Sequence, residues 1–354
     1  MQTTLLSIMV CCAAFASSAA SGADLPPLSP VAVASGAQIS REHGYEFVTV
    51  GAPGNAAYPG GLFGRNAGSG SVAEPFRIAR TQVTNTQMAE FANAYLPFIQ
   101  GDPGQQYGIV GIFIRFDYDI NRYVVNPGSE QVAAAMSWRA AARYCNWLCN
   151  DRQSTAAAFE TGAYDTSTFG DLPGRQFSDQ LVHTQDARFY IPTRSQWVKA
   201  GYYDPNRSGP SQGGYWTYPN ASDNELRYGF PWEGGESIVG AQFLPPYAWE
   251  LPVSSYEATQ SPWGLFDLSG SSRDWNEDAV GQRGGRLYSG SPRQSQIPGR
   301  EDSLYRSEGF AAYPDDLATF AGLRIAATVP TPAGSVTMCV VLTVAALSRR
   351  RRLV

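Results

Sequence analysis

The side chains best suited to chemistry cluster in the stretch from 261 to 278. It ends in three carboxylates, Asp274, Glu277 and Asp278, which follow a Gly-Ser loop. Clustered carboxylate and backbone oxygens are the ligands that a hard cation requires. Acidic loops are also common as solvated surface. The residue types therefore leave two readings open, a cation site and a structural loop whose acids face water.

Two tryptophans, Trp263 and Trp275, frame this stretch. The run is too short for a helix and too rich in glycine for a long strand, and buried aromatic rings fix the shape of a loop. We therefore predict a compact loop pinned by both rings. Its candidate ligand-binding residues are Trp263, Arg273, Asp274, Trp275 and Glu277.

Thiols and imidazoles are scarce in the central part of the chain. Between residues 24 and 329 the only cysteines are Cys145 and Cys149. Four residues apart on a helix, they share one face, where a disulfide would distort the backbone, so the spacing favours two buried thiols over a redox pair. The two histidines, His43 and His183, are widely separated in sequence and give little support for a metal site.

Three helix starts are indicated by capping residues. The segments Thr84-Asn-Thr-Gln87 and Thr193-Arg-Ser-Gln196 are capping boxes, in which the hydroxyl and the glutamine each bond a backbone N–H. Ser137 is the predicted N-cap of a helix with an apolar stripe. These signals predict two to three short capped helices.

Short strands and long irregular segments make up the rest. Strands are predicted at 45–50, 76–80 and 189–192, the second with one exposed face, and a closing strand at 321–326. Residues 150–188 are predicted to form a long loop that is functional or mobile. Residues 202–249 form an irregular region rich in aromatic residues, and the 36 glycines and 24 prolines fit a loop-rich fold.

Both ends of the chain are predicted to direct it out of the cytoplasm, to the cell envelope or surface. Residues 1–23 are uncharged and typical of a secretory signal peptide; 24–44 predict a flexible lead-in and 45–329 the folded domain. Residues 330–354 combine Pro-Thr-Pro, a short apolar run and four arginines. They resemble the PEP-CTERM sorting tails that exosortase-type enzymes process. The alternative is a short permanent anchor.

The net charge limits the partners. Without the four tail arginines, 22 of the 26 basic residues remain against 31 acidic ones, a balance of −9. An acidic domain without a basic stripe is unsuited to nucleic acid or to anionic membrane surfaces. The expected partners are a glycan or an envelope protein, with a protease that processes the tail. Membrane contact is expected only through that tail.

A series of motifs, in order between 46 and 326, resembles the sulfatase-modifying-factor family, which includes formylglycine-generating enzymes. These motifs lie at 76–91, 136–138, 144–148, 191–197, 231–232, 252–256, 263–270 and 322–325. The resemblance implies an irregular, loop-rich α+β fold related to that of C-type lectins.

The resemblance supports the family's fold more than the family's oxidation of cysteine. Active members oxidise a substrate cysteine with two cysteines that follow an R-G-G-S stretch and hold copper. The matching stretch here is Tyr288–Ser291, and Gln294 and Gly299 stand near the expected cysteine positions. Because Cu(I) requires soft thiolate ligands, copper is not expected.

The family's calcium-binding loop, G-N-V-W-E-W, corresponds to residues 270–275. The resemblance therefore implies calcium at Ser271 and Asp274. Ser271 is a weaker ligand than the family's asparagine, and Arg273 could pair with Asp274 instead.

Two functions follow from these observations. The first is a non-catalytic surface module that presents residues 202–249 and 261–278 to a glycan or protein, since aromatic faces with Asp and Asn suit carbohydrate. The second is an extracytoplasmic oxidoreductase of the formylglycine-generating type that uses other ligands.

Overall fold

The computed structural model of the chain describes residues 37–60, 66–106, 108–109, 111, 113–174, 176–238, 251–280, 285–289, 291–292, 314–315 and 321–330. The predicted signal peptide, the predicted tail beyond residue 330, Gln294 and Gly299 lie outside these residues. Within the described part of the chain, no helix is long and apolar enough to cross a membrane.

The regular elements are short. The helices are α1 (Asn85–Tyr95), α2 (Trp138–Cys149), α3 (Ala156–Glu160) and α4 (Arg194–Tyr202). The strands are β1 (Ile39–Glu42), β2 (Tyr45–Val50), β3 (Phe76–Ala79), β4 (Ile114–Asp117), β5 (Arg122–Val125), β6 (Asp171–Leu172), β7 (Gln176–Phe177), β8 (Phe189–Tyr190), β9 (Tyr203–Asp204), β10 (Gly214–Tyr215), β11 (Ser269–Ser271), β12 (Arg273–Val280), β13 (Gly285–Ser289), β14 (Ser291–Pro292), β15 (Ala321–Gly322) and β16 (Ala326–Thr328).

The three predicted helix starts are confirmed. Both capping boxes form: Thr84 and Thr193 accept the backbone N–H three residues on, and the glutamine of each box accepts the N–H of its threonine at 2.9 Å. Ser137 accepts the N–H of Ala140 at 3.1 Å and starts α2. These bonds satisfy backbone donors that a helix N-terminus otherwise leaves unpaired.

The main sheet has the order β1-β2-β3-β16-β8, and its neighbouring strands are antiparallel. The predicted flexible lead-in is wrong for residues 39–42, since β1 pairs with β2 along its whole length. The predicted exposed face of β3 is also wrong. Arg77 lies 3.0 Å from Glu42, and Arg80, which follows β3, lies 2.8 Å from Glu46. Paired guanidinium groups can be buried where isolated ones cannot.

A second sheet, β13-β12-β15, contains the stretch predicted to be a compact loop. That prediction is wrong for residues 273–278, which belong to β12, because β12 pairs antiparallel with β13 and parallel with β15. Partner strands on both sides supply the backbone hydrogen bonds that a loop would lack. The preceding Gly270 has φ of 81°, and a Cβ there would lie 2.9 Å from Ser237 Oγ, so this position requires glycine.

The segment from 150 to 188 is more regular than predicted. It contains α3 and the hairpin of β6 and β7. Asn146 of α2 organises it: its side-chain oxygen accepts the N–H of Ala163 and Tyr164, and its amide donates to the carbonyls of Phe159 and Tyr164. Sequence periodicity does not reveal such a bond network because its partners are side chain and backbone across a turn.

Two apolar clusters fill the interior. The larger surrounds α1 and α2 and includes Trp138, Trp147 and Phe159. The smaller joins α4 to β2 and β3 through Trp197, and it also contains Trp263. Its partly buried neighbours include Tyr203 and Tyr215, so this cluster supports the surface on which an aromatic-lined cleft opens.

Candidate functional site

Asp274, a predicted binding residue, lies in a buried ion pair. It is 1% exposed. Its Oδ2 accepts from Arg324 Nε at 2.9 Å and from Trp197 Nε1 at 2.8 Å, and its Oδ1 accepts from Gln82 Nε2 at 2.7 Å. Arg324 donates its remaining hydrogen bonds to the carbonyls of Ala79, Arg80 and Phe266. The pair therefore joins β12 to α4, β3 and the loop before β11.

Ser271, the second residue predicted to bind calcium, donates its hydroxyl to Gln82 Oε1 at 2.7 Å. Gln82 thus links Ser271 to Asp274, and a cation there would have to replace hydrogen bonds to this glutamine. Among the described residues, no three or more His, Cys, Asp or Glu side chains are grouped to hold a metal. Calcium at Ser271 and Asp274 stays a prediction.

Thermal unfolding in added calcium and in EGTA tests that prediction. If calcium binds, its removal is expected to lower the unfolding temperature of the wild-type protein, because a ligand bound only to the folded state stabilises it. The effect should shrink in Ser271→Ala, which removes one ligand. Equal unfolding temperatures with and without calcium would contradict it.

Both framing tryptophans are buried, as predicted, and each holds a distant backbone carbonyl. Trp275 Nε1 donates to the carbonyl of Met136 at 2.7 Å, and Trp263 Nε1 donates to that of Tyr203 at 2.7 Å. The guanidinium of Arg273 lies 4.6 Å from the centre of the Tyr288 ring. Of these three predicted binding residues, Trp263 is the one that forms a hydrogen bond to Tyr203, a half-buried residue near the surface.

Glu277 binds one of the two histidines. Its Oε1 accepts from His183 Nδ1 at 2.7 Å, from the His183 N–H at 2.6 Å and from Tyr164 Oη at 2.9 Å. The imidazole stacks on Tyr190, with ring centres 3.8 Å apart. The carboxylate holds the proton of His183 on Nδ1 and leaves Nε2 without a partner among the residues described. Such an oriented imidazole can act as a general base.

The surviving thiols lie away from any open site. Cys145 is fully buried in α2, and the half-buried Cys149 donates its thiol to the carbonyl of Phe189 at 3.3 Å. Both are free, and burial raises the pKa of both thiols, which keeps them protonated at neutral pH. The prediction of unpaired thiols is confirmed, and Cys149 is less buried than expected.

The aromatic cleft is a concave surface with a volume of about 450 Å³. Its walls come from two distant parts of the chain. One is residues 56–60, and the other is contributed by residues that follow α4, namely Tyr203, Arg207, Gly213, Gly214, Tyr215, Trp216 and Thr217. Rings and small residues dominate the lining, as in many small-molecule sites.

Hydrogen bonds and ring contacts hold the two walls together. Tyr215 Oη donates to the carbonyl of Ala56 at 2.8 Å and accepts from Asn55 Nδ2 at 2.9 Å. Tyr215 also makes edge contacts with the rings of Tyr58 and Tyr203, at centre distances of 5.5 and 5.1 Å. A Cβ at Gly213 would lie 2.0 Å from Tyr203 Oη, so glycine is needed for this ring to lie where it does.

One cation lines the cleft. The guanidinium of Arg207 lies 4.7 Å from the centre of the Trp216 ring, and its Nη2 donates to Asp223. Asp223 also accepts from the N–H and hydroxyl of Thr217, at 3.1 and 2.8 Å. The Arg207 side chain is 29% exposed. The cleft therefore combines aromatic surface with hydrogen-bond donors, which suits a polar ligand with apolar faces.

Lys199 anchors the loop that leads to residues 56–60. It is the only lysine of the chain, it is fully buried, and its Nζ donates to the carbonyl of Ala52 at 2.8 Å. Burial lowers the pKa of Lys199 to about 8. The ammonium group is thus held at an energetic cost.

Replacing Lys199 with Met is expected to raise the free energy of unfolding at pH 7 by about 1–2 kcal/mol. Removing the buried charge saves about 3 kcal/mol, and losing one hydrogen bond costs about 1 kcal/mol. The full gain should be present below pH 8 and should shrink between pH 8 and ~10.4. Over that range the unfolded wild-type chain binds more protons than the folded one, so the stability of the wild-type protein rises with pH. Urea unfolding from pH 7 to 10 measures this. Lys199→Arg, which keeps the charge, should not stabilise, and a pH-independent gain in Lys199→Met would contradict the argument.

Sequence reasoning missed one half of the cleft. Tyr203, Tyr215 and Trp216 lie in the aromatic region at 202–249 that was expected to face a ligand, around a Gly-Gly pair that could have indicated close ring packing. Residues 56–60 carry no comparable signal, and only the fold brings them to Tyr215.

Comparison with known proteins agrees with this architecture. The family model for the sulfatase-modifying factor enzyme 1-like domain matches residues 38–329. The crystal structure of CarF aligns with a TM-score of 0.50 and 18% identity, over 81% of this chain and 99% of CarF. No curated protein matches the chain.

Two further solved structures align with lower scores. Treponema denticola variable protein 1 has a TM-score of 0.47 and 14% identity, over 83% of this chain and 99% of its own. PvdO from Pseudomonas aeruginosa has a TM-score of 0.41 and 14% identity, over 80% and 95%. At such identities only the likeness to CarF bears on the fold, and it confirms the predicted irregular α+β fold of the formylglycine-generating-enzyme type. Since the family match spans most of its length, this chain belongs to the sulfatase-modifying factor enzyme 1-like domain family.

Proposed function

We propose that this protein is an exported, non-catalytic member of its family that binds a glycan in the aromatic cleft. The cleft is the observation that carries the proposal. Its half-buried rings, Tyr203, Tyr215 and Trp216, offer apolar surface to the C–H faces of a sugar, and Arg207 offers N–H donors to its hydroxyls. Its volume lies within the range of small-ligand sites.

The thiol inventory supports a role without catalysis. No cysteine follows the stretch Tyr288–Ser291 before residue 339, so the family's copper ligands are missing from the sequence. Cys145 and Cys149 are protonated groups of α2 and cannot replace them, because the thiolate is both nucleophile and metal ligand.

Export is proposed from the two ends of the sequence. Residues 1–23 have the pattern of a signal peptide, and 330–354 resemble a sorting tail that an envelope protease processes. A fusion of residues 1–44 to an alkaline phosphatase that lacks its own signal tests the first part. Phosphatase activity in whole cells supports export, and activity confined to the cytosolic fraction of lysed cells would refute it.

Trp216→Ala is expected to weaken glycan binding about 10- to 100-fold, because a stacked aromatic ring contributes about 1–3 kcal/mol at a binding site. The ligand is first identified on a glycan array with the purified protein, and Kd is then measured by calorimetry. Trp232→Ala is the matched control: its ring is 62% exposed and lies outside the lining of the cleft. Loss of binding in Trp232→Ala but not in Trp216→Ala would contradict the assignment of the cleft.

The second candidate function is an extracytoplasmic oxidoreductase of the formylglycine-generating type that uses ligands other than thiolates. The oriented His183, bound to Glu277 at 2.7 Å, is the observation in its favour. Metal analysis of the purified protein and an oxidation assay on a cysteine-containing peptide separate the two functions. Stoichiometric metal with turnover that His183→Ala abolishes would favour the enzyme, and absence of turnover favours the binding module.

A further inference from the structure

We infer that the aromatic cleft selects an uncharged, hydroxyl-rich saccharide and discriminates against acidic sugars. This inference rests on the proposed function and adds the charge class of the ligand. Among the described residues that line the cleft, Arg207 is the only charged one, which by itself would suggest an anionic ligand. The carboxylates of Asp204 and Asp223, which contact Trp216 and Arg207, favour an uncharged ligand instead.

Two carboxylates already flank the Arg207–Trp216 pair. Asp223 accepts from Arg207 on one oxygen and from Thr217 on the other. Asp204 accepts from Trp216 Nε1 at 3.2 Å. Two negative charges therefore surround one positive charge before any ligand is present. A carboxylate or sulfate brought to Arg207 would add a third negative charge beside them.

The ionisation of Asp223 is secured by its own contacts. Although partial burial acts in the opposite direction, hydrogen bonds from Thr217 and Arg207 lower the pKa of Asp223. The residue thus stays charged at neutral and mildly acidic pH. Its negative charge interacts with Arg207 and Thr217, which also line the cleft. Protonation therefore does not neutralise Asp223 when an anion approaches.

Arg207 nevertheless keeps donors for a neutral ligand. Its Nη2 donates to Asp223, whereas its Nη1 has no acceptor among the described residues. Sugar hydroxyl oxygens can accept from such donors without adding charge.

The aromatic rings of the cleft also suit a neutral sugar. Tyr203, Tyr215 and Trp216 present partly exposed aromatic groups on the same wall as Arg207. Neutral pyranose rings expose C–H faces that pack on such rings, while their edges carry hydroxyls. The domain's net charge of −9 adds a general repulsion of anionic polymers, which is strongest at low salt.

The test compares matched oligosaccharides on the full-length protein. Neutral hexasaccharides (cello-, xylo- and manno-hexaose) and acidic ones (hexagalacturonate and a hyaluronan hexasaccharide) are titrated by calorimetry at 50 and 300 mM salt. At least one neutral oligosaccharide is expected to bind at least tenfold more tightly than either acidic one, which corresponds to about 1.4 kcal/mol. The gap should narrow at 300 mM salt because screening weakens repulsion.

Asp223→Asn sharpens the test. It removes one negative charge and releases Arg207, so binding of the acidic oligosaccharides is expected to improve at least threefold relative to that of the neutral ones. The matched control is Asp117→Asn, which removes the carboxylate of another Arg–Asp pair, with Arg115 at 3.0 Å, outside the cleft. This control should leave the neutral-to-acidic ratio unchanged.

The outcomes separate the two levels of the argument. Equal or tighter binding of acidic oligosaccharides by the wild-type protein, with loss in Trp216→Ala, would overturn the charge selection and leave glycan binding intact. An unchanged neutral-to-acidic ratio in Asp223→Asn would likewise overturn the role of Asp223. Binding of none of these oligosaccharides, together with a blank glycan array, would remove the proposed function and this inference with it.

Discussion

Replacing Asp274 with Asn should lower the free energy of unfolding by about 3–5 kcal/mol, the usual cost of breaking a buried ion pair from one side. The variant leaves the guanidinium of Arg324 fully buried without its counter-ion. With its oxygen in place of Oδ2, asparagine can still accept two of the three hydrogen bonds that reach the carboxylate, but it cannot neutralise the charge. Urea unfolding followed by tryptophan fluorescence measures the loss.

The control for this variant is Asp117→Asn, in a pair whose arginine is 60% exposed. Exposed pairs contribute about 0–1 kcal/mol, so this change should be nearly neutral. In Asp274→Asn, further replacement of Arg324 with Met should cost much less than it does in the wild-type protein, since the two groups act as a unit. A loss below about 1 kcal/mol in Asp274→Asn would show that the pair does not hold β12 in place.

Trp263→Ala is expected to lower the free energy of unfolding by about 3–5 kcal/mol, the range for removing a buried aromatic side chain. Trp263 is 2% exposed, packs in the smaller apolar cluster and donates to the carbonyl of Tyr203. Because Tyr203 lines the cleft, the milder Trp263→Phe should both destabilise, by about 1–2 kcal/mol, and weaken glycan binding. Differential scanning calorimetry and calorimetric titration give the two quantities.

The exposed Trp232 supplies the comparison for Trp263. Trp232→Ala removes the same side chain from a site that is 62% exposed, so the stability change should stay within about 0.5 kcal/mol. If Trp263→Ala were no more harmful than Trp232→Ala, the cluster beneath the cleft would not support it. If Trp263→Phe weakened folding but left binding unchanged, Tyr203 would not depend on its carbonyl bond.

The predictions that held depend on short-range chemistry. A capping box such as Thr84 with Gln87 needs only residues within one turn, so its outcome could be predicted without knowing the fold. The order of family motifs predicted the fold class in the same way, because residue identity along the chain carries the resemblance. Trp263 and Trp275 were predicted to be buried because buried aromatic rings fix the shape of a loop.

The predictions that failed involve partners far away in sequence. Residues 273–278 were expected to form a loop, but two strands from later in the chain pair with β12, to which they belong. Arg77 and Arg80 were expected to face solvent, but Glu42 and Glu46 on neighbouring strands allow their burial. The partner of Asp274 in the interior, Arg324, is likewise distant in sequence, and calcium binding at Asp274 stays a prediction.

By itself the sequence determined the helix starts, the family and the missing cysteines, because these are carried by neighbouring residues or by residue identity. Only the tertiary structure decided which charges are buried and where a ligand can bind. The cleft exists because residues 56–60 meet Tyr203 and Tyr215, and the contact forms through packing on a shared apolar cluster. Such packing depends on which residues lie close together in space, and the spacing of residues along the chain does not reveal these contacts.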